Sequence, residues 1–258
     1  IDNRWHLAHH LADHGYETAA WGMATNHCAR EVGDCPADAA AMGYHTWLGD
    51  TASLAPALDW LRAPRPRPFF LSLSWVRTHR IGRGFSGVPD HERYDPRWLQ
   101  PPPVLPDDRI TREDWSWFAS DCTAWDAELG RVLAALRDAG LADNTLVIVT
   151  TDHGIPFPGH KCTLTHHGTG VFLVMRGPGG FSGGQVVDHL VSHIDLFPTL
   201  CDVLALERPA GLAGESLRPL WEGKKKKVRD SVFLPYLQIQ RAVRDERWKL
   251  IAYPQIGH

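Results

Sequence analysis

Hydrophobic and polar positions along the chain follow two periods, and their order predicts a mixed α/β fold. Three segments place apolar side chains three or four positions apart, as amphipathic helices do: residues 5–14, 51–61 and 113–139. Three short runs are continuous or alternating apolar, as strands are: residues 17–21, 69–76 and 146–149. Because each helix leads into a strand, the pattern predicts a mixed, mostly parallel sheet covered by helices.

The C-terminal part of the chain shows a different pattern. Residues 171–175 read as a further buried strand, and residues 186–206 as largely helical with a kink or break at Pro198. Three short strands with charged turns then follow at residues 231–237, 240–244 and 248–253. We therefore predict an α/β domain over residues 1–222 and the start of a small antiparallel subdomain over residues 223–258.

Other segments carry weaker predictions. Thr51 is expected to cap the helix that follows it, and residues 31–50 read as irregular. Residues 81–112, rich in glycine and proline, are too long for an ordinary loop and are expected to shape a site.

Composition narrows the class of partner. With 258 residues, 43% of them hydrophobic, the chain can form a sizeable core. A formal net charge of −3 gives no basic footprint for nucleic acid, so a small polar or anionic substrate would be held by local groups. No apolar run approaches the roughly 20 residues of a membrane span. The first residue is Ile1, which leaves the compartment open.

The stretch from residue 144 to residue 161 is the first place to look for chemistry. Asp152 and His153 follow the apolar strand directly, and Pro156 and Pro158 then forbid a helix. In open α/β sheets, ligands bind outside the carboxyl ends of the strands. Alone, the aspartate could cap the next element and the histidine could be an ordinary loop residue.

Further polar residues follow neighbouring strands and strengthen the functional interpretation. Lys161 closes the same stretch, and His79 follows the strand at residues 69–76. A carboxylate suits a hard divalent cation, with the imidazole of His153 as a ligand or hydrogen-bond donor. Lys161 could neutralise a bound oxyanion, and His79 could transfer a proton to a leaving group.

Several motifs in order resemble sulfatases of the alkaline phosphatase superfamily. The motifs are TTDHGIPFPGHKCTL, GVFLVMRGPG and VVDHLVSHIDLFPTLCDVL, with LAHHLADHGYETAAWG, FFLSLSWVRTHR and RAVRDERWKLIAYP. Within them, DHGIPFPGHK resembles the heparan N-sulfatase branch and its bacterial relatives. The resemblance covers nearly the whole chain, and it implies an alkaline phosphatase-like fold.

The resemblance also implies roles for individual residues. Asp152 matches a calcium ligand, and His153 matches a position that contacts the metal or the sulfate. Lys161 matches a basic residue that binds sulfate oxygens, and His79 matches the histidine near the scissile oxygen. His27 is either the counterpart of a further site histidine or an ordinary loop residue, because GMATNH lacks the lysine of the family's element.

The sequence departs from the family in its nucleophile. These enzymes use a cysteine or serine, matured to formylglycine, in a Cys/Ser-x-Pro/Ala-x-Arg motif, and two adjacent aspartates that complete the calcium site. Neither Cys28 nor Cys35 fits that motif, and Asp107 and Asp108 lie in the proline-rich loop. We expect that the chain lacks N- and C-terminal portions of its family and is inactive alone. Cys28 and Cys35 are either paired or free.

Three functions follow as expectations. The first is calcium-dependent, formylglycine-dependent hydrolysis of sulfate esters or N-sulfates, on a small molecule or an oligosaccharide. The second is hydrolysis of phosphomonoesters, phosphodiesters or phosphonates, because the same cradle accepts phosphoryl groups. The third is a non-catalytic protein that retains the fold for binding. The oligomeric state is left open.

Overall fold

The computed structural model describes residues 5–23, 35–82, 84–85, 87–178, 181 and 183–254. The chain divides into two compact units, Ile1–Ala142 and Asp143–His258. The parallel sheet lies in the first unit, and two antiparallel sheets lie in the second. The boundary expected near residue 222 stays a prediction.

A three-stranded parallel sheet forms the centre of the first unit. Its strands are β1 (Glu17–Gly22), β2 (Thr46–Trp47) and β3 (Phe69–Ser74), in the order β2-β1-β3. The central strand is the most buried, because Thr18, Ala19 and Ala20 are 0% exposed. At its end Gly22 has φ +79°, and a Cβ there would lie 2.0 Å from the Ser74 carbonyl oxygen. Only glycine allows the two strand ends to approach this closely.

Four helices accompany this sheet in the described part of the first unit: α1 (Leu7–Asp13), α2 (Cys35–Ala41), α3 (Ala55–Arg62) and α4 (Arg109–Asp138). The apolar positions that predict α1 and α3 are buried, with Leu11 2%, Leu58 5% and Leu61 1% exposed. The 30-residue α4 is capped at its N-terminus by Asp108, whose carboxylate accepts the Thr111 N–H at 2.8 Å. None of the helices in the described ranges combines the length and the apolar character needed to cross a membrane.

Helix α4 holds the polar segment that follows β3. Glu128 accepts a hydrogen bond from Trp75 Nε1 at 2.7 Å and another from the Arg77 guanidinium at 2.6 Å. Arg80 makes a two-pronged contact to Asp114, at 2.9 and 2.6 Å. Paired guanidinium–carboxylate bonds are among the more strongly oriented ion pairs. The segment after β3 is therefore fixed against α4 at several points.

Asp121 is an unusual residue of α4. Its side chain is 0% exposed, and neither carboxyl oxygen has a hydrogen-bond partner among the described atoms. A Cβ at Gly87 would lie 1.0 Å from Asp121 Oδ1, so glycine is needed where the loop crosses the carboxyl group. Burial raises the pKa of Asp121 to about 6, against the opposing effect of Arg77.

In the second unit, β4 (Val147–Thr150) pairs antiparallel with β5 (Leu173–Arg176). All four residues of β4 are partly exposed, and exposure alternates along β5, where Val174 is 59% exposed. The prediction that both strands are buried is therefore wrong for this chain. The β-branched, uncharged residues correctly predicted that these segments are strands. Composition alone does not determine which faces of the strands are covered.

The C-terminal strands form a separate antiparallel sheet, as the sequence predicts. The strands β6 (Val232–Tyr236), β7 (Gln240–Arg244) and β8 (Lys249–Ala252) lie in the order β6-β7-β8. The helices of this unit, within the described residues, are α5 (His166–Thr169), α6 (Leu196–Val203) and α7 (Arg218–Trp221). Together with the parallel sheet of the first unit, these elements confirm the predicted fold class.

A buried ion pair connects several of these elements. Asp195, 0% exposed, accepts the N–H groups of Ser192 at 2.7 Å and Glu215 at 2.8 Å. It also pairs with the guanidinium of Arg229. Since its carboxylate is surrounded by donors, Asp195 stabilises the second unit and has a structural role.

Three local predictions need correction. Thr51 does not cap α3, because the helix begins at Ala55 with Leu54 at its N-cap position and no side-chain cap. Residues 186–192 are not helical, and Pro198 lies in the first turn of α6, where its missing N–H costs nothing. Helix α2 lies in the region expected to be irregular, because its alanines favour a helix that begins with a proline in the first turn.

Candidate active site

The loop after β4 places two potential metal ligands side by side. His153 Nε2 lies 3.4 Å from Asp152 Oδ2, and the Asp152 side chain is 86% exposed. His153 Nδ1 lies 2.7 Å from the Gly154 carbonyl oxygen, which can only accept, so Nδ1 carries the hydrogen. The other ring nitrogen, Nε2, therefore faces the carboxylate of Asp152. An oxygen and a nitrogen donor in this arrangement fit two positions of a divalent cation.

The start of this loop is fixed by close backbone contacts with α5. The N–H of Gly154 donates to the Gly168 carbonyl at 3.0 Å. A Cβ at Gly154 would lie only 1.7 Å from the carbonyl oxygen of His167, so a larger residue would force the segments apart. Farther along, the backbone N–H of Lys161 donates to the Ile155 carbonyl at 3.2 Å. Asp152, His153 and Lys161 therefore belong to one closed loop.

The end of the loop is attached to the C-terminal sheet. The Leu164 N–H donates to Oε1 of Gln240 at 2.7 Å, and both residues are buried. Lys249 Nζ donates to the Leu164 carbonyl at 3.0 Å and to Thr169 Oγ1 at 2.8 Å. The site loop and α5 thus depend on β7 and β8 for their position.

These anchors were not predicted from the sequence. Gln240 and Ala242 are the buried positions of β7, where residues alternate between faces. The alternation was a usable signal, since a glutamine on the inward face of a predicted strand needs a hydrogen-bond partner. His193 was also missed: its Nε2 lies 3.1 Å from Thr150 Oγ1, at the last residue of β4.

The remaining predicted site residues, His79 and His27, precede the second unit in the sequence. His79 belongs to the first unit, where it follows β3 and its N–H donates to the Val76 carbonyl at 2.9 Å. Its position is set by the neighbouring contacts of Arg77 and Arg80 to α4. His27 lies outside the described residues. Within the described ranges, no group of three or more His, Cys, Asp or Glu side chains could hold a metal ion.

Comparison with solved structures identifies the fold. The structure of a phosphonate monoester hydrolase from Silicibacter pomeroyi superposes on this chain with a TM-score of 0.71 and 20% sequence identity. The superposition covers 96% of this chain and 71% of the hydrolase. The chain therefore has the fold of alkaline phosphatase-like sulfatases and related hydrolases.

Sequence comparison identifies the family. Residues 4–206 match the family described as Sulfatase, and residues 160–256 match the family described as N-sulphoglucosamine sulphohydrolase, C-terminal. This chain belongs to the sulfatase family.

Two curated relatives show how much of such proteins the chain represents. The N-sulphoglucosamine sulphohydrolase of Homo sapiens is 31% identical over 194 residues, which are 64% of this chain and 39% of the relative. The Delta 4,5-hexuronate-2-O-sulfatase of Bacteroides thetaiotaomicron is 29% identical over 217 residues, which are 69% of this chain and 45% of the relative. The chain thus spans less than half the length of either protein.

Proposed function

We propose that this chain forms part of a sulfatase that hydrolyses a sulfate ester or an N-sulfate on a sugar. The observation that carries the proposal is the position of His153 Nε2, 3.4 Å from Asp152 Oδ2, in a loop that also contains Lys161. Membership of the sulfatase family supports the reaction class. The names of the two curated relatives, which refer to an N-sulphated glucosamine and a 2-O-sulfated hexuronate, support a sugar.

The residues of this chain would divide the work as follows. Asp152 and His153 would hold a calcium ion, which when bound supplies positive charge near the sulfuryl oxygens. Lys161 would donate hydrogen bonds to those oxygens and stabilise the negative charge that develops on them. His79 would protonate the departing oxygen or nitrogen.

The nucleophile is not assigned to a residue of this chain. The 258 residues contain no Cys/Ser-x-Pro/Ala-x-Arg motif, so a formylglycine would come from sequence beyond them. The carboxylate and the imidazole described above provide two donors, and further ligands for calcium would have to come from the same region.

The test is a side-by-side assay of protein expressed with the coding sequence upstream of Ile1. We expect sulfate release from an aryl sulfate and from N-sulfated glucosamine, with much slower hydrolysis of the matching aryl phosphate. Lys161→Met is expected to lower kcat/KM for the sulfate by roughly a hundredfold. Lys225→Met, in an exposed loop of the same unit, is the matched control and should retain the wild-type rate.

Two outcomes would overturn this proposal. Preferential hydrolysis of phosphate or phosphonate would favour the alternative represented by the phosphonate monoester hydrolase of the same fold. No hydrolysis of either substrate, together with an upstream sequence that lacks the nucleophile motif, would favour a binding protein.

A further inference from the structure

A groove rich in cations lies beside the turn that joins β7 to β8. It has a volume of about 390 Å³, and its lining includes His166, Arg244, Arg247, Trp248 and Lys249. We call it the hairpin groove. Glu246 is the acidic residue of its lining. Two arginines and one lysine therefore line the groove together with one carboxylate.

The strand register forces two of these cations together. Arg244 pairs directly with Lys249 across the β7–β8 ladder, which places both side chains on one face of the sheet. The guanidinium of Arg244 also lies 3.4 Å from His166 Nδ1. Like charges at directly opposed positions destabilise a sheet, so this arrangement costs stability unless an anion joins it.

Carboxylates in the described part of the chain do not neutralise these charges. Within the described ranges, Arg244, Arg247 and Lys249 form no ion pair with a carboxylate. The carboxylate of Asp245 accepts the backbone N–H groups of Arg247 and Trp248 and so is used to close the turn.

The pKa values of two groups that line the groove, Lys249 and His166, are shifted in the direction that favours their neutral forms. Burial and the charge of Arg244 lower the pKa of Lys249. Burial, Arg244, Lys249 and the neighbouring His167 lower the pKa of His166. A bound anion would oppose the contribution of the neighbouring cations to both shifts, because it favours the charged form of each group.

The hairpin groove is also connected to the site loop through a single helical turn. Backbone atoms of His167 and Gly168 in α5 contact Gly154, at the start of the loop. Side chains of the same helix, His166 and Thr169, contact Arg244 and Lys249. A ligand that reaches from the loop past α5 would therefore meet the cations next.

We infer that the hairpin groove binds a second anionic group, a sulfate or a carboxylate, of an oligosaccharide whose scissile sulfate lies at the site loop. Arg244 and Arg247 supply the hydrogen bonds, because a guanidinium group can donate two parallel hydrogen bonds to a pair of oxygens of a planar carboxylate or a tetrahedral sulfate. Trp248 is 67% exposed and presents an apolar ring beside them, suited to the body of a sugar. This inference rests on the proposed function.

The first test measures binding to the whole chain by calorimetry. The probes are a heparin-derived tetrasaccharide that carries sulfates and carboxylates, and the same tetrasaccharide after chemical desulfation, N-acetylation and carboxyl reduction. Arg244→Gln combined with Arg247→Gln should weaken binding of the charged probe about tenfold and reduce its salt dependence. The neutral probe should bind at least tenfold more weakly to the wild-type chain.

The control also removes two positive charges from the second unit, but at positions outside the groove. Lys225→Gln combined with Lys226→Gln changes two exposed side chains outside the groove and should leave binding within about twofold of wild type. If the arginine variant retains wild-type affinity, or if the lysine variant weakens binding equally, the inference is wrong.

A second test separates this inference from the proposed function. In protein expressed with its upstream coding sequence, the arginine variant should raise KM for a sulfated tetrasaccharide and leave kcat/KM for a small aryl sulfate unchanged. Equal loss on both substrates would contradict a separate subsite. Absence of all sulfate hydrolysis, with charge-dependent tetrasaccharide binding intact, would instead reject the proposed function.

Discussion

At the residue scale, the orientation of the His153 ring is set by the hydrogen bond of its Nδ1. Because His153 Nδ1 donates to the Gly154 carbonyl, the other ring nitrogen, Nε2, faces the carboxylate of Asp152. The sequence predicts that these two residues lie at the end of a strand. The sequence does not reveal which ring nitrogen of His153 faces Asp152, since that depends on how the loop turns at Gly154.

Asp121 gives a prediction at the same scale. Its pKa is raised to about 6 in the folded chain, above the usual value for an unfolded aspartate near 4. Between about pH 4 and pH 6 the folded state therefore binds more protons than the unfolded state, and stability falls as pH rises. The expected loss is up to about 3 kcal/mol over this interval.

Asp121→Asn should remove that loss, because the amide stays neutral. We expect the variant to match wild type near pH 4 and to exceed it by about 1–3 kcal/mol at pH 7, in chemical unfolding followed by tryptophan fluorescence. A difference in unfolding free energy that does not change between these pH values would contradict the raised pKa.

At the scale of the element, the site loop depends on the C-terminal sheet. Gln240 on β7 accepts the N–H of Leu164, and Lys249 on β8 donates to its carbonyl. Both peptide groups of the loop's end are thus satisfied by side chains about 80 positions later in the chain. The antiparallel sheet therefore positions the site loop, although it carries none of the proposed catalytic residues.

Gln240→Ala should therefore loosen the loop. Removing the acceptor leaves a buried N–H unpaired, at a cost of about 1–3 kcal/mol in unfolding free energy. Amide hydrogen exchange should increase at residues 155–169. Gln238→Ala, an exposed glutamine between β6 and β7, is the control and should change neither quantity. Equal exchange in the two variants would show that the contact does not hold the loop.

Elements whose apolar side chains repeat clearly were predicted well from the sequence. The stripes of α1, α3 and α4 and the three C-terminal strands appear within a few residues of the expected positions. Helix α2 was missed although it is as long as α1, because its sequence CPADAAA contains no large apolar side chains that mark a stripe. Helix α5 has only four residues, too few for a period to be recognised. The burial of β4 and β5 was also misjudged, since it depends on tertiary packing that local composition does not encode.

At the scale of the whole molecule, the residues that the sequence predicts for the site are divided between the two compact units of the chain. His79 follows β3 in the first unit, while Asp152, His153 and Lys161 follow β4 in the second. Both groups lie just after the last residue of a strand, which is where open α/β sheets bind ligands. The sequence predicts this placement because the polar residues follow apolar runs directly.

The 258-residue chain by itself should not hydrolyse sulfate esters, because it contains no Cys/Ser-x-Pro/Ala-x-Arg motif. The measurement is prolonged incubation of the purified chain with an aryl sulfate in the presence of calcium. Turnover that disappears in Asp152→Ala would contradict this expectation, since it would require a nucleophile within these residues.

The most direct test of the central claim compares two aspartates in protein expressed with its upstream coding sequence. Asp152 and Asp188 are both exposed in the second unit, so neither Asp152→Asn nor Asp188→Asn should change the unfolding free energy by more than about 0.5 kcal/mol. The measurement is kcat/KM for an aryl sulfate at saturating calcium. We predict a loss of at least about a hundredfold for Asp152→Asn and none for Asp188→Asn. If the two variants hydrolyse the sulfate at similar rates, the loop after β4 is not the catalytic site.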